Sequence, residues 1–244
     1  MFIKMIALIS MLLDHTDKVF HLSIHIFTFV GRIAFPLFAF SFTEGSRKTS
    51  NSTRRFQRLL IAAFLSEPCF NLAFDINHWM RLKQGVKMDC LFPNIGFNNV
   101  LFTFLISYLF VIWKRRYHPH VLSQALIFTI AITLAEILNT DYGAWGVLLI
   151  TALHFCNSKK QCALLIFAWN TLFYLGYASW NGFSLMWWGG NLFYIFQWLF
   201  SCLSIPFILL YNGKPGRKQT LGFYVFYPLH LLCLVILREL IYSL

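Results

Sequence analysis

Residues His25–Glu44 read HIFTFVGRIAFPLFAFSFTE, a twenty-residue run of mostly aromatic and aliphatic side chains. The hydrocarbon core of a bilayer needs about 20 mainly apolar residues to be crossed as a helix. Arg32 is the single Lys or Arg in the stretch, about a third of the way along it, and Pro36 lies one turn further on. Proline donates no backbone N–H, so it leaves the carbonyl four residues earlier without its helical partner. For Pro36 that carbonyl belongs to Arg32 itself. The stretch reads as a membrane span with a cation and a kink at the same level.

The whole chain has the same character. Of its 244 residues 58% are hydrophobic, 19% aromatic and 12% charged, with a mean hydropathy of +0.63. Soluble domains carry roughly 45–50% apolar and about 25% charged residues. Too little polar side chain remains to cover a water-facing surface. Soluble enzymes, disordered tails and nucleic-acid-binding domains are excluded, and the class is an all-α polytopic membrane protein. Nine spans are expected, in one bundle and one domain over 1–244: Ile3–Phe20, His25–Glu44, Phe56–Phe74, Ile95–Trp113, Val121–Leu138, Tyr142–Phe155, Gln161–Trp180, Leu185–Tyr211 and Thr220–Tyr242. The sixth is short. The first resembles a signal peptide in length, but Asp14 and His15 interrupt it and no small-residue cleavage site follows, so it is retained as a span.

The net charge of +11, from 20 Lys and Arg against 9 Asp and Glu, would suggest nucleic acid in a soluble chain. In a membrane chain basic residues set topology by the positive-inside rule. With nine spans, one side receives Lys4, Arg47, Lys48, Arg54, Arg55, Arg58, Lys114, Arg115, Arg116, Lys159, Lys160, Lys214, Arg217 and Lys218. The other receives Lys18, Arg81, Lys83, Lys87 and Arg238. This asymmetry puts the N-terminus in the cytoplasm and the C-terminus outside a cell (inner, cytoplasmic) membrane. The longest loop, Asp75–Asn94, then lies on the outer face. The six cysteines lack metal-ligand spacing and read as small buried side chains, so no metal is expected.

An ionisable side chain inside hydrocarbon is costly and marks either a site or a helix lock. Asp14, Glu67 and Glu136 fall inside spans, with Glu44 at a boundary, and Arg32, His15 and His230 lie in apolar runs. Lys4 and His15 are eleven residues apart, about three turns and some 16 Å, on one helix face. Asp14 points about 100° away from His15 and is placed to pair with Arg32 on the next helix. Pro36, Pro68, Pro206 and Pro228 each lie inside a span.

The stretches IKMIALISMLLDH (Ile3–His15), GRIAFPLFAFSFTEG (Gly31–Gly45), RLLIAAFLSEP (Arg58–Pro68), TDYGAWG (Thr140–Gly146) and FYVFYPLH (Phe223–His230) resemble the TraX family of membrane acetylases. That family is related to the type-3 membrane acyltransferases, which carry a basic residue and a histidine separated by ten residues in their first span. Lys4 and His15 have that spacing. The resemblance implies acetyl transfer from acetyl-CoA to an amine, in the founding case the N-terminus of a conjugative pilin. It also carries over Lys4, Asp14, His15, Arg32, Glu44, Arg58, Glu67, Tyr142 and His230 as recurring polar positions.

The residues suit that chemistry. Acyl transfer from a thioester needs a base for the nucleophile and positive charge near the developing oxyanion. His15 is the expected base, having an unperturbed pKa near neutrality. Arg32 either stabilises the oxyanion or is locked to Asp14; His230 either assists proton transfer or satisfies a carbonyl at a kink. Glu67 completes the candidate catalytic set. Lys4, Arg54, Arg55 and Arg58 are the candidate holders of the coenzyme phosphates. The expected partners are the bilayer, acetyl-CoA and a pilin or small exported peptide. Two rival classes fit the same buried groups: a proton-coupled transporter, although no inverted repeat of interrupted helices is visible, and a non-catalytic assembly factor.

Overall fold

A computed structural model describes residues 2–74, 97–117, 120–176, 191–213 and 220–242. The Asp75–Asn94 loop, Cys90, the end of the seventh span and the start of the eighth lie outside the described residues, as do Lys214, Arg217 and Lys218. Among the described residues all regular structure is helical. The chain divides into two compact units, Met1–Arg47 with Ala152–Arg217, and Lys48–Thr151 with Lys218–Leu244.

The first unit begins with α1 (Phe2–Phe20), α2 (His25–Gly31) and α3 (Ala34–Arg47). α1 buries Ile3, Ala7, Ser10, Asp14 and Asp17, one face at helical spacing. α2 and α3 are the expected second span, interrupted at Arg32–Ile33. There the backbone tightens, with Arg32 N and Ile33 N donating to the carbonyls of Phe29 and Val30. Pro36 lies four residues past Arg32, which is the reason for the break. The same device recurs in α9 (Asn191–Cys202) and α10 (Ser204–Leu209), where Pro206 lies four residues past Cys202. Pro68 and Pro228 differ, since the helices around them run on. Between these pairs runs α8 (Lys159–Asn170), which Ser158 and Gln161 start with a capping box and which continues as a π-helical turn over Thr171–Leu175. α2 packs on α9 through Phe29, whose ring lies 5.3–5.7 Å from those of Phe193, Phe196 and Phe200.

The second unit contains α4 (Ser52–Phe74), α5 (Val100–Tyr117), α6 (Val121–Ile137), most of α7 (Gly143–Leu153) and α11 (Thr220–Tyr242). α4 packs on α11 and on α5, and α5 on α6. Ile106, Ala131, Ala135 and Val147 form a core among α5, α6 and α7.

Among the described residues, three helical stretches are long and apolar enough to cross a membrane: His25–Arg47, Leu192–Leu209 and Gly222–Tyr242. Val121–Ile137 and Gly143–Leu153 are apolar but shorter. α1, α4 and α5 have the length, at 19, 23 and 18 residues, but carry charge within it. The surfaces the helices leave uncovered within the described residues are apolar at helical spacing. α6 exposes Leu122, Leu126, Ile130, Leu134 and Ile137, and α11 exposes Val225, Leu229, Leu232, Ile236 and Leu240. Faces of this size and polarity suit hydrocarbon rather than water. Only Cys162 of the described cysteines is buried and Cys233 is exposed, which corrects the expectation of buried thiols: on a lipid-facing helix a thiol is tolerated outside.

The TDYGAWG turn shows how an acidic residue inside an apolar run is used. Glu136 Oε1 accepts the Ala144 amide at 2.7 Å and so caps the start of α7. Tyr142 and Gly143 both have positive φ, 62° and 44°. A Cβ on Gly143 would lie 2.5 Å from Glu136 Oε1. Gly143→Ala therefore loses about 1–2 kcal/mol from the left-handed backbone alone, with the displaced cap adding to it. Gly222, with nothing within 4 Å of its Cβ position, is the control. Thermal unfolding in detergent should show a lowered midpoint for Gly143→Ala and none for Gly222→Ala.

Candidate functional site

The polar groups of the first unit gather where α1 meets the break between α2 and α3. Asp14 Oδ1 accepts Arg32 Nη2 at 3.0 Å and its Oδ2 accepts Lys18 Nζ at 2.7 Å. The pairing of Asp14 with Arg32 expected from helix angle is thus formed. Arg32 Nε also donates to the Thr28 carbonyl at 3.2 Å. Gly31 makes this approach feasible, because a Cβ there would lie 2.4 Å from Asp14 Cβ. Asp17 holds the turn into α2, accepting the Ile24 amide and the Thr28 hydroxyl, each at 2.8 Å. His15, next to Asp14, is buried on the unbroken α1. Lys4 stands three turns back on the same helix, half-buried.

Four groups in this unit were not anticipated. Tyr174, in the π-turn, is buried in the neighbourhood of Arg32 and Ser201. Ser201 in turn donates to Asn170 Oδ1 at 2.8 Å. Asp17 completes the set. Lys18, read as a loop charge, pairs with Asp14 one turn away, a spacing that does carry a sequence signal. A π-turn has none, since a one-residue insertion follows no residue pattern.

At the basic end of the same unit a cavity of about 310 Å³ is lined by Phe40, Glu44, Arg47, Asn157, Ser158, Lys159, Cys162, Tyr211, Asn212 and Gly213. Arg47 binds Glu44 at 3.0 Å and the carbonyls of Leu153 and Cys156. Lys159 donates to the carbonyls of Leu209 and Tyr211, both at 2.8 Å. These cations therefore tie down helix ends as well as contributing positive charge.

In the second unit Glu67 is fully buried on α4 and accepts three donors: the Asn98 amide at 2.8 Å, the Asn99 amide at 3.2 Å and Asn99 Nδ2 at 2.6 Å. Asn99 Oδ1 accepts the Leu101 amide at 3.0 Å. N–H groups at the start of α5 are thereby satisfied by side chains, those of Asn98 and Asn99 by Glu67 of α4, as a helix start away from water requires. Tyr227 lies edge-on to His230, with ring centroids 5.6 Å apart. His230 Nδ1 is 2.9 Å from the Phe226 carbonyl. A carbonyl only accepts, so Nδ1 carries the proton. The carbonyl it meets is that of Phe226, not the Tyr224 carbonyl that Pro228 leaves.

Arg238, counted from sequence as an outer-loop charge, is buried and donates to the carbonyls of Leu72 and Ala73 at the end of α4. A guanidinium suits a helix C-terminus. Among the candidate phosphate holders, Arg54 is exposed, its amide held by the Asn51 side chain at the start of α4. Arg55 lies over the Tyr108 ring at 5.6 Å and bonds Thr49 Oγ1 at 3.3 Å. Burial pulls its guanidinium below the ordinary arginine value, with the Tyr224 and Tyr108 phenols opposing. Arg58, one turn on, is half-buried.

No solved structure matches the chain. It is 27% identical over 243 residues to the probable fimbrial assembly protein FimC, serogroup H1, of Dichelobacter nodosus, covering 95% of this chain and 93% of that protein. The family resemblance read from the five stretches is borne out. A family model for the TraX protein matches residues 1–238, and the chain belongs to that family.

Proposed function

We propose that this chain is a membrane acetyltransferase. It moves the acetyl group of cytoplasmic acetyl-CoA to an amine, the N-terminus of a pilin or another exported peptide. One observation carries the reading: His15 is buried on an unbroken helix beside an Asp14–Arg32 pair, with Lys4 three turns back. In this scheme His15 takes a proton from the amine as its nitrogen attacks the thioester carbonyl. Arg32 faces the oxyanion that develops. The C–N bond forms, the C–S bond breaks, and the coenzyme thiolate leaves and takes up the proton. The relative's description as a fimbrial assembly protein supports a pilus-linked acceptor.

Nine spans with a cytoplasmic N-terminus and an external C-terminus remain the topology we propose, on the distribution of Lys and Arg. It puts Arg54, Arg55 and Arg58 on the donor side. Replacing all three with Gln should raise the acetyl-CoA KM and flatten its salt dependence, because partly exposed charges are screened. An unchanged KM with normal membrane insertion would make the three arginines topology signals only. The two proline-broken helices of the first unit favour a second reading, proton-coupled transport, since discontinuous helices mark transport sites. Thioester cleavage by the purified chain in detergent, with and without His15, separates the two.

A further inference from the structure

The cavity at the basic end of the first unit, about 310 Å³, has the size of a small-molecule site. Its lining holds two cations, Arg47 and Lys159, against one acid, Glu44, which Arg47 already pairs. A guanidinium carries five N–H donors and an ammonium three. Arg47 spends three of its own, on Glu44 and on the carbonyls of Leu153 and Cys156. Lys159 spends two, on the carbonyls of Leu209 and Tyr211. Among the described residues this leaves three N–H groups for an occupant, on cations whose positions the backbone already fixes. Asn157, also in the lining, makes no side-chain hydrogen bond among the described residues. Thr43 shares an arc of α3 with the lining residues Phe40, Glu44 and Arg47 by helix angle. It is 1% exposed, and its hydroxyl has no partner among the described residues. A buried hydroxyl without a partner calls for one.

We propose that this cavity binds a phosphate ester. Net positive charge selects an anion, and spare N–H groups on a guanidinium and an ammonium suit phosphate oxygens. The source of the phosphate rests on the acetyl-transfer reading, in which it is the coenzyme. The first unit has the geometry for that ligand. The Phe2 ring lies 6.2 Å from that of Phe207, so the Lys4 end of α1 meets α10, whose last carbonyls hold Lys159. His15 lies some 16 Å along α1 from Lys4. Likewise α3 runs about 20 Å from Ala34, beside the Arg32 break, to Arg47 in the lining. Acetyl-CoA carries its phosphates and its thioester at opposite ends of the pantetheine arm. The phosphates occupy the cavity and the thioester reaches the His15 level. A phospholipid headgroup offers the same chemistry from a second source.

The test uses the full chain in detergent and compares acetyl-CoA with acetyl-pantetheine, which has the same thioester and no phosphate. Asn157→Asp adds a carboxylate to the lining without changing its shape, and Lys159→Gln removes a charge. In the double variant the acetyl-CoA KM should rise about tenfold, the scale of a hydrogen bond to a charged group. Its kcat, and the KM for acetyl-pantetheine, should stay as they are. Where the pair lowers the thermal midpoint, Asn157→Asp alone repeats the comparison, since it removes no hydrogen bond of the fold. The midpoint is also read with added coenzyme A and with added phosphatidylglycerol. A rise with the lipid alone, lost in the variant and with KM unmoved, keeps the phosphate site and makes its source a headgroup. An equal KM rise for both thioesters, or no difference between variant and unaltered chain in either readout, overturns the proposal. If the unaltered chain cleaves no thioester, the acetyl-transfer reading falls, and the midpoint shifts still decide whether the cavity takes phosphate.

Discussion

His15→Ala lowers acetyl-transfer turnover by about 10²–10⁴, the usual contribution of a positioned base, and leaves donor KM little changed. The second expectation follows from distance. His15 lies about three turns, some 16 Å, from Lys4 at the donor end of α1. α1 is unbroken between them, so the spacing expected of a regular helix holds. His15→Gln is the sharper variant, since it keeps size and hydrogen bonding but cannot take a proton. Both are measured by thioester cleavage in detergent, against a thermal midpoint that reports folding. A well-folded Gln variant with near-normal turnover would make His15 a structural histidine. The base would then be sought at His230, where the proton on Nδ1 leaves Nε2 as the basic nitrogen of the neutral ring.

The parts legible in the sequence are those that depend on local geometry. The Asp14–Arg32 pair followed from a 100° helix angle, and the break at Arg32 from the proline four residues on. What the sequence could not show depends on partners far along the chain. Arg238 counts from the sequence as a charge of the outer side, yet its carbonyl partners are 165 and 166 residues away. Glu67 looked like a candidate acid inside an apolar run, and its three donors come from residues 98 and 99. Helix starts and ends placed away from water need such partners, but nothing local says which side chain supplies them. Tyr174 was hidden for a different reason. Its face is set by a π-turn, which breaks the 3.6-residue period on which face assignments rest.

Asp14→Asn should destabilise the fold by roughly 3–5 kcal/mol, because it leaves the Arg32 charge buried without its counter-ion. The side chains of the pair are 17% and 10% exposed. Lys18 is 43% exposed on its side chain, so its own loss of Asp14 is repaired by water and adds little. A double variant separates locking from catalysis. Asp14→Leu with Arg32→Met replaces the pair by apolar side chains, an exchange that is often neutral or stabilising. Its midpoint should return to that of the unaltered chain, while turnover stays low if Arg32 faces the oxyanion. Recovery of both stability and turnover would leave Arg32 as a lock between α1 and α2, and the charge that stabilises the transition state would then have to come from another cation.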